Sequence, residues 1–320
     1  MTQEPTVAEL GENESLKRTV SRLRAGSYEV VGSGDDAAVV VAKDGRFVVT
    51  TDTMIEGHDF RLDWSTGYDL GWKAVATNII DVAAMGAKPT TLVVAISVPG
   101  DTRIGFLEAF ADGLQAACDR FALGLSVVGG DLASSDQVFI SVTAHGDLEG
   151  REPILRSGAK TGDILAVAGT LGRAAAGLSL LFSGDPGAIS AYDALIEAQL
   201  RPEPPVSSGI GVDATAMLDV SDGLAKDALR IAKASGVKLV IEAKQLQGFE
   251  AMLDDVALRL NLRSLDWVLG GGEDHALLAT FAPGAAIPRE FKPIGRVEEG
   301  SGLFLDDQPL KEFGWDSVTG

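Results

Sequence analysis

Acidic residues recur in this sequence where a short apolar run ends, most of them beside glycine. They are Asp35 and Asp36 in GSGDD, Asp52 in TTDT, Asp131 in VVGGD, Asp219 and Asp222 in DVSDG, and Glu273 and Asp274 in GGGED. Glycine lets a ligand approach the backbone, and acids at strand ends meet at one edge of a sheet. Clustered carboxylates stay ionised only when cations neutralise them. The pattern therefore predicts a cleft that binds several divalent ions.

One further acid, Asp81, lies inside the helical stretch NIIDVAAMG. Its small neighbours predict close helix packing, with the carboxylate directed inward. Hydroxyl groups accompany the acids at Thr50, Thr51 and Ser221, and histidines do not cluster with them. Oxygen ligands favour Mg²⁺, Mn²⁺ or Ca²⁺ over zinc, and Mg²⁺ is commonly shared with substrate phosphates. The set therefore points towards a nucleotide.

The common nucleotide-binding motifs are absent from the sequence. The nearest stretch to a P-loop, SGAKTG at 157–162, lacks the Gly-Lys pair, and protein-kinase tripeptides and a GxGxxG after a strand are missing.

Arg156, beside this glycine-rich segment, suits a phosphate because its guanidinium is a planar fork of donors. Trp315 offers a flat aromatic face on which a ligand ring could lie. Alternatively, Arg156 is a surface residue and Trp315 packs the tail onto the core.

Composition limits the classes of protein to consider. The net charge of −19 argues against a broad grip on nucleic-acid phosphates. Cys118 is the only cysteine, so an intrachain disulfide or a cysteine-cluster zinc site is excluded. The polar, acidic opening lacks the features of a signal peptide, and no apolar run approaches the roughly 18 residues of a membrane span. We expect a cytoplasmic protein without nucleic-acid or membrane partners.

Short β-rich runs alternate with longer helical patterns along the chain. Strands are predicted at 37–42, 46–51, 91–98, 125–128, 138–144, 237–242 and 276–281, with another in ILAVAG, and helices at 67–86, 104–122, 173–183 and 223–235. Three prolines in LRPEPPV at 200–206 exclude a helix and mark a connector. These patterns predict an α+β protein of two domains, 1–150 and 151–320.

Seven segments together resemble the thiamine-monophosphate kinase family, which belongs to the superfamily of aminoimidazole ribonucleotide synthetase and selenophosphate synthetase. They are GDDAAVV (34–40), TTDTMIEGHDF (50–60), WKAVATNIIDVAAMGAKP (72–89), VVGGD (127–131), LRSGAKTGD (155–163), LDVSDGL (218–224) and GGEDHALL (271–278). The segments occur in the family's order and span nearly the whole chain.

The resemblance implies a two-domain PurM-like fold and a homodimer whose N-terminal, ATP- and Mg²⁺-binding domains pair. The C-terminal domain would complete the active-site cleft. The implied reaction transfers the γ-phosphoryl group of ATP to thiamine monophosphate, using several Mg²⁺ ions. By motif, the metal ligands are Asp36, Thr50, Thr51, Asp52, Asp81, Asp131, Asp219 and Asp222, of which Asp36, Asp81 and Asp222 are the implied catalytic residues. The implied ATP contacts are Gly130, Asp131, Arg156 and Ser221, and the thiamine contacts are Glu273 and Trp315.

Some positions depart from the family's pattern. The family commonly has His-Phe after its TDT segment, whereas here Asp59 stands between His58 and Phe60, so either His58 or Asp59 is expected to face the substrate. The family often has another His-Phe after GWD, where this chain has Ser317 and Val318. These changes concern the thiamine pocket and leave the metal and ATP residues in place.

Two kinds of alternative remain open. A sister enzyme would use ATP and Mg²⁺ on another acceptor, but selenophosphate synthetase normally needs a reactive residue near its N-terminus, and Cys118 lies in a helical pattern. The aminoimidazole ribonucleotide enzyme lacks the TDT and GWD features. A non-catalytic acidic metal-binding protein would carry its acids in repeated loops such as EF-hands, and these are absent.

Overall fold

The computed structural model describes residues 4–31, 38–121, 124–311 and 313–315. Asp35 and Asp36 and the departures at Ser317 and Val318 lie outside these residues. The chain divides into two compact units, Met1–Val82 with Ala87–Arg151, and Ala83–Gly86 with Glu152–Gly320. The second unit therefore includes the last two residues of the helix that carries Asp81 and the turn that follows them.

The first unit combines a mixed sheet with helices. Its elements are α1 (Val7–Val20), β1 (Glu29–Val31), β2 (Val39–Val40), β3 (Val48–Ile55), α2 (Gly67–Ala84), β4 (Lys88–Val98), α3 (Ile104–Phe121), β5 (Ser126–Ser134) and β6 (Phe139–Asp147). Among the described strands, the main sheet has the order β3-β6-β4-β5. The β4/β5 pair is parallel, and β6 is antiparallel to both β3 and β4.

Glycines let the two long helices of this unit lie almost backbone to backbone. A Cβ added at Gly71 would lie 2.0 Å from the carbonyl oxygen of Phe110, and one at Gly113 would lie 2.1 Å from that of Tyr68. No side chain fits at such distances, so α2 and α3 pack through these glycines. One face of α3 is apolar and turned towards the core, because Leu107, Phe110, Leu114 and Ala117 recur every three or four residues and are all buried.

The second unit is a larger sheet covered by short helices. Its elements are β7 (Ile164–Ala168), α4 (Arg173–Ser183), α5 (Pro186–Ala191), α6 (Asp193–Leu200), α7 (Val206–Gly209), β8 (Ala216–Val220), α8 (Leu224–Ser235), β9 (Lys238–Ile241), α9 (Ala243–Glu250), α10 (Asp254–Leu260), α11 (Ser264–Gly270), β10 (Ala276–Phe281), β11 (Phe291–Glu298), β12 (Gly302–Leu305) and β13 (Gln308–Pro309). The described strands have the order β13-β12-β9-β11-β7-β10-β8. Its core joins strand residues such as Leu165 and Leu218 to Ile231 of α8.

The predicted α+β organisation is confirmed, but several strands extend beyond their predicted limits, among them the two that carry Asp52 and Asp131. The run at 46–51 continues as β3 through Ile55, and the run at 125–128 continues as β5 through Ser134. Asp52 and Asp131 therefore lie inside strands and project from the faces of the sheet, so the prediction that they follow strand ends is wrong. Among the described helices, none is both long and apolar enough to cross a membrane.

Candidate functional site

In the first unit, β3 and α2 bring together a group of acidic and hydroxyl side chains. The hydroxyl of Thr50 lies 3.1 Å from Oδ2 of Asp81 and donates to it. Asp52 follows two residues later, about 7 Å along the strand on the same face. Asp52 is exposed and Asp81 is half-buried. The structure thus places Thr50, Asp52 and Asp81 on one side of the sheet, as an oxygen-rich group within reach of solvent.

Thr51 and Asp131 lie on the opposite face of the same sheet. The Thr51 hydroxyl donates to the carbonyl of Val142 at 2.8 Å, so it forms a hydrogen bond to the backbone of the neighbouring strand. Asp131 pairs with Ala95 of β4, and the next pair along the two strands, Leu132 with Ile96, is buried. Because side chains alternate along strands, Asp131 points away from the face that carries Asp52. The structure does not place these two residues on the face of Thr50.

The turn after β3 separates the roles of His58 and Asp59. Oδ2 of Asp59 accepts the backbone N–H of Ile55 at 2.7 Å, which closes the turn. His58 is exposed, while Asp59 is half-buried. The carboxylate of Asp59 therefore has a local structural task, and His58 is the side chain that the turn presents to solvent.

In the second unit, two adjacent loops collect most of the remaining predicted residues. Asp219 is the penultimate residue of β8 and lies beside His275, with Oδ2 and Nδ1 3.3 Å apart and both side chains buried. The carbonyl of Ser221 accepts the N–H of Glu273 at 3.1 Å. A Cβ at Gly272 would lie 2.0 Å from that same carbonyl, so only glycine permits this approach. Asp219, Ser221 and Glu273 are thereby held in one neighbourhood.

Asp222 is surrounded by basic side chains from the helix that follows it. Lys226 places Nζ 3.2 Å from Oδ2 of Asp222, and Arg230 donates to the same oxygen. Arg230 also pairs with Asp227, whose Oδ2 accepts the N–H of Asp222 at 2.9 Å. Burial raises the pKa of Asp227 to about 6, against the opposing effect of Arg230. This interlinked set fixes the start of α8.

The loop that carries Glu273 is clamped by its neighbours. Asp274 is buried and accepts the Thr170 hydroxyl at 2.8 Å and two backbone N–H groups of α4. A carboxylate at a helix N-terminus is favourable, although burial raises the pKa of Asp274. Glu273 has a left-handed backbone with φ 67°, and its carboxylate accepts a hydrogen bond from Gln199 of α6. Asp274 therefore anchors the loop, while Glu273 is only half-buried.

Trp315 is docked on the same loops through its backbone. Its N–H donates to the carbonyl of Asp222 at 3.0 Å, and its own carbonyl accepts from Lys226. Trp315 as a whole is 43% exposed. Both readings of Trp315 are thus compatible, because main-chain contacts hold the tail while the ring stays available.

Arg156 lies away from this cluster. Its carbonyl accepts the hydroxyl of Ser235 at 2.8 Å, at the last residue of α8. Asp222 precedes the first turn of that helix, and its 12 residues correspond to about 18 Å. Within the second unit, the structure therefore does not bring Arg156 together with Ser221 and Asp222.

Comparison with known proteins identifies the family. Residues 34–148 match the family described as AIR synthase related protein, N-terminal domain, and residues 160–307 match its C-terminal domain. A thiamine-monophosphate kinase of Mycobacterium tuberculosis is 44% identical over 309 residues, which are 96% of this chain and 90% of that protein. The chain belongs to the thiamine-monophosphate kinase family.

Solved structures agree with this family assignment. The crystal structure of thiamine monophosphate kinase from Aquifex aeolicus superposes with a TM-score of 0.77 at 34% identity, covering 83% of this chain and 90% of that one. AaThiL complexed with AMPPCP and TMP superposes with a TM-score of 0.80 at 32% identity, covering 98% and 99% of the two chains. The fold of this family member thus extends over both units.

The donor atoms of this family member suit a hard cation. Across the described residues, no three His, Cys, Asp or Glu side chains form a group that would hold a metal ion by themselves. Thr50, Asp52 and Asp81 offer only carboxylate and hydroxyl oxygens, which are the ligands that Mg²⁺ prefers. Mg²⁺ usually takes one or two protein carboxylates and completes its shell with water and substrate phosphates. The residues present therefore fit Mg²⁺ bound together with a phosphate ligand.

Several residues that shape these loops were missed by the sequence analysis. Lys226 follows Asp222 at i, i+4 and Arg230 follows Asp227 at i, i+3, so pairs of opposite charge at helical spacing were available as a signal. The His275 contact joins residues 56 positions apart, and the Gln199 contact joins residues 74 positions apart. Neither of these two has a local sequence signal, because only the folded unit brings the partners together.

Proposed function

We propose that this protein is a thiamine-monophosphate kinase that transfers the γ-phosphoryl group of ATP to thiamine monophosphate, giving thiamine diphosphate and ADP. The observation that carries the proposal is the similarity to AaThiL complexed with AMPPCP and TMP over nearly the full length of both chains. AMPPCP is an ATP analogue, so that complex pairs a nucleotide with a second ligand. The 44% identity to the Mycobacterium tuberculosis enzyme over 96% of this chain supports the same activity.

The proposal includes several Mg²⁺ ions as the metal cofactor. The ligands implied by motif are Asp36, Thr50, Thr51, Asp52, Asp81, Asp131, Asp219 and Asp222. The contact between Thr50 and Asp81 and the position of Asp52 on the same face support three members of this set. When bound, Mg²⁺ would offset negative charge on the transferring phosphate oxygens.

The protein's own contribution is positioning, since phosphoryl transfer needs little covalent chemistry from side chains. We assign the catalytic roles to Asp36, Asp81 and Asp222, and the contacts with ATP to Gly130, Asp131, Arg156 and Ser221. The Thr50 hydroxyl holds Asp81 through one carboxylate oxygen. The Ser221 loop is fixed through its carbonyl, which leaves the side chain of Ser221 half-buried rather than enclosed.

Recognition of thiamine is assigned to the second-unit loops and to the turn after β3. Glu273 supplies negative charge for the positively charged thiazolium ring, and Trp315 supplies a flat face for it. The partial exposure of both side chains supports these roles. His58 is assigned to the substrate in preference to Asp59, because the carboxylate of Asp59 closes its own turn.

We further propose that the protein is a cytoplasmic homodimer that pairs through its N-terminal domain, residues 1–150, with residues 151–320 completing the site. Exposed apolar side chains on the first unit support pairing there, because Phe47 is 58% exposed and Val49 of β3 is 55% exposed. Light scattering after size-exclusion chromatography should give twice the chain mass. Substituting Val49 with lysine should shift the protein towards the monomer.

The activity is tested with a panel of acceptors. Purified protein is incubated with ATP and Mg²⁺, and ADP, AMP and free phosphate are measured with thiamine monophosphate, with selenide, and with formylglycinamidine ribonucleotide. Thiamine monophosphate alone should give rapid consumption of ATP, with ADP as the nucleotide product. Consumption of ATP that depends on another acceptor, with none for thiamine monophosphate, would replace this activity by that of a sister enzyme. No acceptor-dependent consumption of ATP with any of them would favour a non-catalytic metal-binding protein.

A further inference from the structure

Gln199 is a buried polar residue that contacts the loop of Glu273. It lies on α6, one helical turn after Leu195 of the core, and is 5% exposed. The helix is pressed against α4, since a Cβ at Gly177 would lie 2.1 Å from the carbonyl of Leu195. This packing fixes the backbone of α6 and therefore the position from which the Gln199 side chain extends.

The Gln199 side chain reaches Glu273 with one half of its amide. Nε2 donates to Oε2 of Glu273. Oε1 is buried and has no hydrogen-bond partner in the described part of the chain. An apolar side chain of similar size would fill this space without burying an unsatisfied oxygen. Packing alone therefore does not account for a glutamine at this position, and the contact with Glu273 does.

The backbone of Glu273 is fixed independently of Gln199. Its N–H is bound to the carbonyl of Ser221, its φ of 67° is left-handed, and Asp274 ties the next residue to α4. What remains adjustable is the direction of the Glu273 carboxylate. Gln199 is one of the groups that direct this carboxylate, and its amide is a neutral donor.

We propose that Gln199 is a positioning residue that holds the Glu273 carboxylate in the orientation in which it binds the positively charged ring of the substrate. This inference rests on the proposed function. Gln199 acts through Glu273 and contributes to discrimination between a cationic and a neutral ring. It has no part in ATP binding or in phosphoryl transfer itself.

The test uses Gln199→Met, which keeps the size of the side chain and removes its donor, with Gln199→Ala as a second variant. Gln245→Met makes the same change at an exposed position of α9 and serves as the control. KM is measured separately for thiamine monophosphate and for ATP. Binding is compared with that of deazathiamine monophosphate, in which an uncharged ring replaces the thiazolium. All measurements are repeated in the Glu273→Gln background.

We expect Gln199→Met to raise KM for thiamine monophosphate about tenfold, with KM for ATP unchanged within about twofold. The preference for the cationic over the neutral ring should fall about tenfold, and this effect should vanish in Glu273→Gln. The proposal would be overturned by any of three results: an unchanged ring preference, an equal rise in the KM values for thiamine monophosphate and ATP, or effects of Gln199→Met and Glu273→Gln that are fully additive. Unsubstituted protein that forms no thiamine diphosphate would instead refute the proposed function, before any variant is compared.

Discussion

The acidic residues of the two units are held in different ways. In the first unit, Asp81 accepts a hydrogen bond from the hydroxyl of Thr50 on the neighbouring strand. In the second unit, Asp222 is paired with Lys226 and Arg230 and is linked through its backbone to the buried carboxyl of Asp227. Two carboxylates with the same proposed role therefore differ in the contacts they make with the surrounding fold.

A substitution can therefore reduce activity in two ways that can be measured separately: by removing a charge from the site, or by destabilising the fold around it. A carboxylate bonded to a hydroxyl is replaced by an amide with little structural change, since an amide oxygen also accepts a hydrogen bond. A carboxylate paired with two cations also stabilises the chain around it. Activity and stability should therefore respond together in the second unit and separately in the first.

The largest expected effect is on the activity of Asp81→Asn. Because Asn keeps the hydrogen bond from Thr50 but loses the charge, kcat should fall about 10²–10³-fold while the melting temperature stays nearly constant. Steady-state kinetics and thermal unfolding measure the two quantities. Asp136→Asn, an exposed change in the same unit, should leave both unchanged. Normal kcat in Asp81→Asn would remove this residue from the catalytic set.

A smaller effect is expected for Glu273→Gln. Removing the charge that faces the thiazolium should raise KM for thiamine monophosphate about tenfold or more and leave KM for ATP nearly unchanged. Rates measured against each substrate in turn separate the two constants. Glu299→Gln is a matched exposed control in the same unit. A rise in KM for ATP alone would move Glu273 out of the thiamine-binding set.

Asp222→Asn should reduce stability as well as activity. The change removes the negative partner of Lys226 and Arg230, so the free energy of unfolding should fall by about 1–2 kcal/mol. Denaturant unfolding of Asp222→Asn and Asp81→Asn under the same conditions gives the comparison directly. Equal stability of the two variants would contradict the distinction between the units.

The smallest expected effect is a pH dependence of stability in metal-free protein. Burial raises the pKa of Asp227 from its ordinary value of 3.8 to about 6, so as the pH falls the folded chain takes up this proton before the unfolded chain does. The resulting stabilisation is complete below the unfolded pKa and is lost as pH rises through about 6. Relative to Asp227→Asn, the unsubstituted protein should gain about 1 kcal/mol between pH 7 and pH 5. A difference between the two proteins that does not change with pH would rule out a raised pKa.

The sequence predicted the main elements wherever periodicity was strong. The helix predicted at 173–183 and the strand predicted at 276–281 are observed with the same limits, and the helix predicted at 104–122 is observed over Ile104–Phe121. The α1 helix was missed, although Thr6 and Glu9 form a capping box that the sequence displays as T-x-x-E. Short helices such as α9 and α10 were also missed, since their eight and seven residues offer only about two turns of periodic pattern.

The candidate site was predictable as a set of residues but not as an arrangement. Motifs supplied Asp52, Asp81, Asp222 and Glu273 without reference to the fold. The neighbours of these residues depend on strand register and strand length. Thr50 and Thr51 lie on opposite faces of β3 because side chains alternate along a strand, and Asp131 lies on a face of the sheet only because β5 is long enough to include it. Contacts such as Gln199 with Glu273 depend on the packing of α6 and were not accessible from local patterns.

The most direct test of the proposed activity follows the transferred phosphoryl group. The purified chain is incubated with Mg²⁺, thiamine monophosphate and ATP labelled at the γ-phosphate, and the products are separated. We predict that the label appears in the terminal phosphate of thiamine diphosphate, in equal amount to the ADP formed. ADP accompanied by labelled free phosphate, with no labelled thiamine diphosphate, would contradict the account.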